Sequence, residues 1–185
     1  MARVRLNQTA DLPEDHRWLF ERMEKRGGIL NIFRAMSHSP EALRRFMKFG
    51  SYFLEEGKLD PKLRELAILR AGWLCRSPYE FSQHVSFGRR TGLTDDQIRA
   101  VREPQPGKFD AREMAVLAFA GEMTADARVS EGGFAAVREF LSEEQVVELA
   151  MVTAFYNMVS RVLNTLDVDI DPPAVRDLQS VGVEF

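Results

Sequence analysis

Six helix-start signals punctuate a chain of 185 residues and leave little room for any fold but a bundle of helices. Asp11-Leu-Pro-Glu opens a segment that runs to a Gly27-Gly28 stop. Ser39-Pro40 and Asp60-Pro61 each set a capping side chain before a proline at the first helical position, where the missing N–H is not needed. Thr94-Asp-Asp-Gln97, Asp110-Ala-Arg-Glu113 and Ser142-Glu-Glu-Gln145 follow a cap with Glu or Gln three residues on, a pattern that pairs two otherwise orphaned amides. Strand signals are nearly absent: there is no Asn-Gly or Asp-Gly hairpin turn and no sustained alternation of β-branched residues. Apolar residues recur instead at helical spacing, as in Leu63, Leu66, Ala67, Leu69 and Leu74, or Met114, Leu117, Ala118 and Met123. The stretch from Val146 to Leu166 is apolar on most sides and is predicted to be the central buried helix. Loops are expected at about 103–109 and 127–133. Beyond Leu166 the chain turns acidic, and Asp171-Pro172-Pro173 either ends regular structure or begins a docking tail. The expected fold is one all-α domain over residues 1–185, a bundle of about eight or nine helices.

Charge and cysteine content narrow the function. With 25 basic against 28 acidic residues the net charge is −3. No basic stripe of the kind a phosphate backbone needs is present, so nucleic acid is not an expected partner. Cys75 is the single cysteine, which excludes an internal disulfide, a cysteine-rich metal site and a two-cysteine redox cycle within one chain. The N-terminus carries charge with no apolar segment behind it, and no apolar run approaches the roughly 18 residues of a membrane span. Neither a leader nor a membrane is expected, and the location read from this is cytoplasmic.

Chemistry concentrates between Arg64 and His84. Ser77-Pro78 starts a new helix, on which Ser77, Glu80 and His84 fall at i, i+3 and i+7, along one face. A connection of a few residues makes this helix the antiparallel neighbour of the one carrying Glu65, so Glu65 can join the same face. Two carboxylates, an imidazole and a hydroxyl would then converge, a group suited to proton transfer. The bland reading of a Glu and a His four apart on a helix is a surface or interface pair. Metal binding by Glu65, Glu80 and His84 is a third reading, but no His-x-x-x-His or Glu-x-x-His pair accompanies them, and no metal is expected.

A second set lies in the apolar helix after Val146, where Asn157, Ser160, Arg161 and Asn164 form a polar stripe. Arg161 on such a helix needs a partner: the carboxylate of a substrate, an acid such as Glu65, or a subunit boundary. Trp73, Tyr79, Phe81 and Phe155 are candidate walls of an apolar pocket, although aromatics at this spacing also build cores. His38, in a Ser-His-Ser-Pro loop, is a further candidate pocket residue. His16 reads as a surface residue and the methionines as core filling.

Arg64-Glu65-Leu, Tyr79-Glu80-Phe81, His84-Val85 and the run from Gly88 to Ile98 resemble the core of the carboxymuconolactone decarboxylase/alkylhydroperoxidase-like family. The stretch from Phe155 to Asn164 is similar to that family's last core helix. The resemblance covers about 55–170, with N-terminal helices in 1–54 before it and a tail at 171–185. It implies the helical family fold, no cofactor, a small-molecule substrate, and self-assembly as a dimer, trimer or hexamer. Alkylhydroperoxidase members carry a glutamate, then Cys-x-x-Cys, then a histidine, and the resemblance sets Glu65 and His84 at the outer two positions. Ser77 and Glu80 occupy the cysteine positions, so the dithiol peroxidase cycle is impossible there. The implied activity is cofactor-free acid–base chemistry on a carboxylated or lactone-type molecule, with Glu80 or His84 as the base. Its rivals are a one-cysteine peroxidase through Cys75, which is otherwise a buried structural thiol, and a non-catalytic ligand-binding or scaffold descendant.

Overall fold

A computed structural model describes residues 1–185, which form ten α-helices and no strand. They are α1 (Arg17–Glu24), α2 (Asn31–Met36), α3 (Pro40–Glu55), α4 (Pro61–Leu74), α5 (Pro78–Arg90), α6 (Asp95–Ala100), α7 (Ala111–Asp126), α8 (Glu131–Arg138), α9 (Glu143–Leu166) and α10 (Pro172–Ser180). Their starts follow local chemistry. The Asp60 carboxylate accepts from the amides of Lys62 and Leu63. Thr94, Asp110 and Ser142 each complete both arms of the reciprocal cap with Gln97, Glu113 and Gln145.

The structure departs from expectation at several points. Residues 9–16 form two 3₁₀ turns, Thr9–Asp11 and Glu14–His16, so the first α-helix starts only at Arg17. The second predicted loop is shorter: the Ser130 hydroxyl accepts from the Gly133 amide and α8 runs through the glycine pair. The acidic C-terminal stretch holds α10, which packs against α5. Finally, α4 is enclosed more completely than α9, with eight of fourteen residues buried against eleven of twenty-four.

Helices α4 and α9 organise the core. Helix α4 packs on α5, α7 and α9, and Leu66, Ala67, Ile68 and Leu69 are all fully buried, apolar on every side as an interior helix must be. Helix α9 is long and apolar enough by length and composition to cross a membrane, with mean hydropathy 1.4 over its best window, contrary to the expectation that no segment would be. Inside the protein, 61% of that window is buried against other helices. The N-terminal helices have their own core of Leu12, Leu19, Phe20 and Leu43, and join the rest where Phe46 stacks on Phe155 at 5.0 Å. Glu148 of α9 clasps the α3–α4 connection, accepting from the Tyr52 hydroxyl at 2.6 Å and from the amides of Lys58 and Leu59 at 2.6 and 2.7 Å.

Among the anchors of the tail, besides the Arg89–Asp177 ion pair, is one buried carboxylate. Buried Asp171 accepts from the Tyr79 hydroxyl at 2.5 Å, from Gln83 Nε2 at 2.9 Å and from the Asn31 amide at 3.1 Å, tying α10, α5 and the start of α2 together. Asp171→Asn removes the charge from these bonds and is expected to lower stability by about 2 kcal/mol, or roughly 4–8 °C in Tm. Thermal unfolding followed by circular dichroism checks this, and an unchanged Tm would show that the clasp contributes nothing.

Candidate active site

The turn between α4 and α5 brings the carboxylates to the imidazole. Arg76 sits in the left-handed region at φ 51°, and the Ser77 amide reaches back to the Gly72 carbonyl at 2.9 Å. This closes α4 and reverses the chain. Pro78 then starts α5 at its first position. The two helices run antiparallel in contact, and Glu65, Glu80 and His84 meet between them.

His84 lies at the centre of the group. Its Nδ1 is 2.7 Å from Glu65 Oε2 and its Nε2 is 3.1 Å from Glu80 Oε1. Glu65 is fully buried and is held from its other oxygen by Arg64, whose Nε and Nη2 lie 3.1 and 3.0 Å from Oε1. Arg64 also donates through Nη1 to the Phe53 carbonyl at 3.1 Å. The result is a chain of charges, Arg64–Glu65–His84–Glu80, enclosed by the Phe87 and Tyr156 rings at 5.1 and 4.8 Å from the imidazole.

Environment sets the protonation. Burial alone would push the imidazole down, but the two carboxylates outweigh it, Glu65 more than Glu80, and raise His84 to about 9. Burial pushes the Glu65 carboxyl up, and the charges and hydrogen bonds of His84 and Arg64 more than reverse this, holding it below the usual range. At neutral pH the imidazole is a cation that donates from both nitrogens. Burial, together with the nearby Glu80 and Glu65 charges, pushes the Tyr156 phenol well above its ordinary value, so it stays neutral. No group of three His, Cys, Asp or Glu side chains is placed to hold a metal. The imidazole separates the two carboxylates, one on each ring nitrogen, so the three share no common point.

Glu80 and His84 open onto a cavity of about 260 Å³, whereas Glu65 stays behind the ring. Phe33, Phe46, Phe87, Phe155 and Tyr156 give the cavity aromatic walls, and Tyr79 and Gln83 add polar atoms. Of the residues named from sequence, Glu65, Glu80, His84, Tyr79 and Phe155 come together here, whereas Phe81 is fully buried in a separate apolar cluster. Ser77 does not: it is fully buried at the start of α5 and its hydroxyl has no partner.

Four expected binding residues lie elsewhere. Trp73 packs on Phe81 and Phe185 and lines a separate polar hollow. Arg161 and Asn157 bond each other at 2.6 Å and line a separate hollow of about 620 Å³ on another face, so Arg161 does not pair with Glu65. Helical geometry explains the miss, because each residue turns the face by about 100°: Phe155 and Tyr156 face the cavity, whereas Asn157 and Arg161 face the α4–α5 turn. His38 Nε2 contacts the Arg5 carbonyl at 2.8 Å and anchors the N-terminal segment. Cys75 is half-buried beside Asn157 Oδ1 at 3.4 Å. Burial pushes its thiol up against the opposing charge of Arg161.

Sequence reasoning missed the roles of Arg64, Tyr156, Gln83 and Asp171, and the whole wall from α2 and α3. Adjacency in Arg64-Glu65 was the one available signal: a guanidinium beside the only carboxylate of a largely apolar helix.

The carboxymuconolactone decarboxylase family model matches residues 40–122, from the start of α3 into α7, and so includes Arg64, Glu65, Glu80 and His84. The match continues in three dimensions. An uncharacterized peroxidase-related protein from Ralstonia eutropha JMP134, described as an alkylhydroperoxidase AhpD core, superposes with a TM-score of 0.81 at 25% identity over 94% of each chain. Residues 40–122 thus match the carboxymuconolactone decarboxylase family, and the whole chain has the AhpD-like fold. Two further members of the fold are similar in architecture. A cysteine-to-alanine variant of the debrominase Bmp8, in complex with 2,3,4-tribromopyrrole, has a TM-score of 0.82 at 20% identity over 98% of this chain and 100% of that one. A peroxidase-related protein from Silicibacter sp. TM1040 has a TM-score of 0.78 at 24% identity over 92% of each. No curated protein matches the chain in sequence.

Proposed function

We propose that this chain is a cofactor-free acid–base enzyme that moves a proton on a small, largely apolar molecule bearing a carboxylate, carbonyl or lactone group. The observation that carries this reading is the Glu80 carboxylate on an aromatic-walled cavity, bonded to an imidazolium that Glu65 and Arg64 anchor from behind. Glu80 is the base: its free oxygen takes a proton from carbon next to a carbonyl, and the electron pair passes to the carbonyl oxygen. His84 holds the carboxylate in place and supplies a nearby positive charge as the enolate forms. In a decarboxylation of a β-keto acid or its vinylogue, Glu80 first takes the proton of the substrate's carboxylic acid, loss of carbon dioxide leaves the enolate, and Glu80 returns that proton to carbon. Relatives whose names mention peroxidase or debrominase activity set the rival reading, a thiol reaction through Cys75. Against it stand the position of Cys75 outside the cavity and the raised pKa of its thiol.

Lactones and carboxylated lactones incubated with the protein in deuterium oxide, followed by proton NMR, test the reading. Turnover or exchange is expected, and Glu80→Gln is expected to lower it about a hundredfold, within the usual range for losing a general base. Turnover that survives Glu80→Gln sinks the assignment. Peroxide consumption with dithiothreitol is expected to be absent; activity that appears and vanishes in Cys75→Ser makes the protein a thiol peroxidase instead.

Self-association belongs to the same proposal. Val147, Met151 and Met158 stand 55%, 41% and 41% exposed on one side of α9, an apolar stripe that a second copy of the chain would cover. Met151→Glu with Met158→Glu is expected to convert an oligomer to monomer in analytical ultracentrifugation. A parent protein that sediments as a monomer removes this part of the proposal.

A further inference from the structure

The cavity beside Glu80 borders a second hollow. Arg26, Met47, Ser51 and Glu55 line the cavity and also line this hollow of about 310 Å³ between α1 and α3, so the two spaces adjoin and only these side chains lie between them. The inner cavity alone, at about 260 Å³, is smaller than the roughly 300–1,000 Å³ of most small-molecule sites. With the outer groove it lies inside that range.

The groove differs in character from the cavity. Arg22, Arg26, Arg44 and Lys48 gather there around the single acid Glu55. Arg44 is taken up by Glu41 at 2.7 Å. Arg22, Arg26 and Lys48 form no ion pair, an excess of positive charge on a chain whose net charge is −3. Trp18, 45% exposed, lies among them. Cations beside low-dielectric walls concentrate a field on whatever enters, and an arginine rewards a carboxylate with charge-assisted hydrogen bonds.

We infer that the α1–α3 groove binds the carboxylate of an elongated organic acid whose apolar body passes along Met47 and Ser51 into the cavity toward Glu80. The inference rests on the acid–base reading for what happens at the inner end, and it assigns the substrate's shape and charge: a carboxylate outside, an apolar stem, and the reacting group within. It gives Arg22, Arg26 and Lys48 the recognition role expected of Arg161, which faces another part of the molecule.

The test uses a series from phenylacetate to phenyloctanoate, each beside its neutral alcohol. Trp18 fluorescence reports binding in a Trp73→Phe background, since the chain has two tryptophans, and calorimetry repeats the measurement on the parent. One chain length is expected to bind at least about tenfold tighter as acid than as alcohol, the gain of about one charge-assisted contact. Arg26→Gln with Lys48→Gln is expected to abolish that preference and leave the alcohol's affinity unchanged. Equal binding of acid and alcohol, or a preference that survives the double substitution, overturns the inference. Glu80→Gln separates the two proposals. If it keeps the acid preference and loses turnover, both stand. If it keeps the preference and keeps turnover, the acid–base reading falls while the groove assignment holds.

Discussion

Arg64→Met is expected to destabilise the protein by about 3–5 kcal/mol, the usual cost of removing one partner from a buried ion pair. Arg64 is 8% exposed and Glu65 is fully buried, so no water replaces the two bonds from Arg64 Nε and Nη2 to Oε1. A carboxylate is then left in the core with only the imidazole beside it, and the Phe53 carbonyl loses its donor as well. On a chain of this length the expected fall in Tm is roughly 10–15 °C. Scanning calorimetry at pH 7 reads it. Arg64→Met combined with Glu65→Gln is expected to recover part of the loss, because a neutral amide suffers less from burial than an unpaired charge. If the single variant costs less than about 1 kcal/mol, solvent must reach Glu65 and the buried charge chain does not exist as described.

The second large effect is pH dependence centred on His84. Its folded value of about 9 lies above the ordinary 6.5, so the folded protein holds that proton more tightly than the unfolded chain does. The resulting stabilisation is fully present below pH 6.5 and is lost as pH rises through 9, a change of about 3 kcal/mol in all. Glu65 has the opposite sense: its value lies below the ordinary 4.5, so its contribution is present above 4.5 and is lost as pH falls. Stability is therefore expected to be greatest between these two limits and to decline toward alkaline pH. Urea unfolding at pH 6 and pH 9.5 measures the decline, and NMR titration of the imidazole gives the His84 value directly. His84→Gln is expected to flatten the alkaline limb. Ordinary titration near 6.5, or equal stability at both pH values, would falsify the buried imidazolium. The same titration bears on catalysis, because loss of the imidazolium removes the charge beside Glu80 and is expected to lower turnover above pH 9.

The parts of this protein legible in the sequence are those decided within a few residues. Thr94, Asp110 and Ser142 bond amides three positions away, so their caps form wherever the helix forms, and the helical architecture followed from them. Glu65, Glu80 and His84 lie within twenty residues, on two helices joined by a tight turn, and their meeting followed from the brevity of that turn and the spacing along α5. Ser77 shows the limit even there: it shares their stripe, yet as the residue that closes the turn it is drawn inward, away from the group.

What only the tertiary structure decided is which neighbour each helix face meets. Tyr156 and Asn157 are adjacent on α9, but a rotation of about 100° sends one to the cavity and the other to the α4–α5 turn. Asp171 reaches Tyr79 across 92 positions and Gln83 across 88. The cavity's outer wall comes from α2 and α3, whose sequence carries apolar residues with nothing to say which surface they cover. Spacing along a chain encodes local geometry because the helix repeat is fixed by its own hydrogen bonds. Contacts between distant segments are settled by the packing of the whole core, in which each side chain's place depends on all the others.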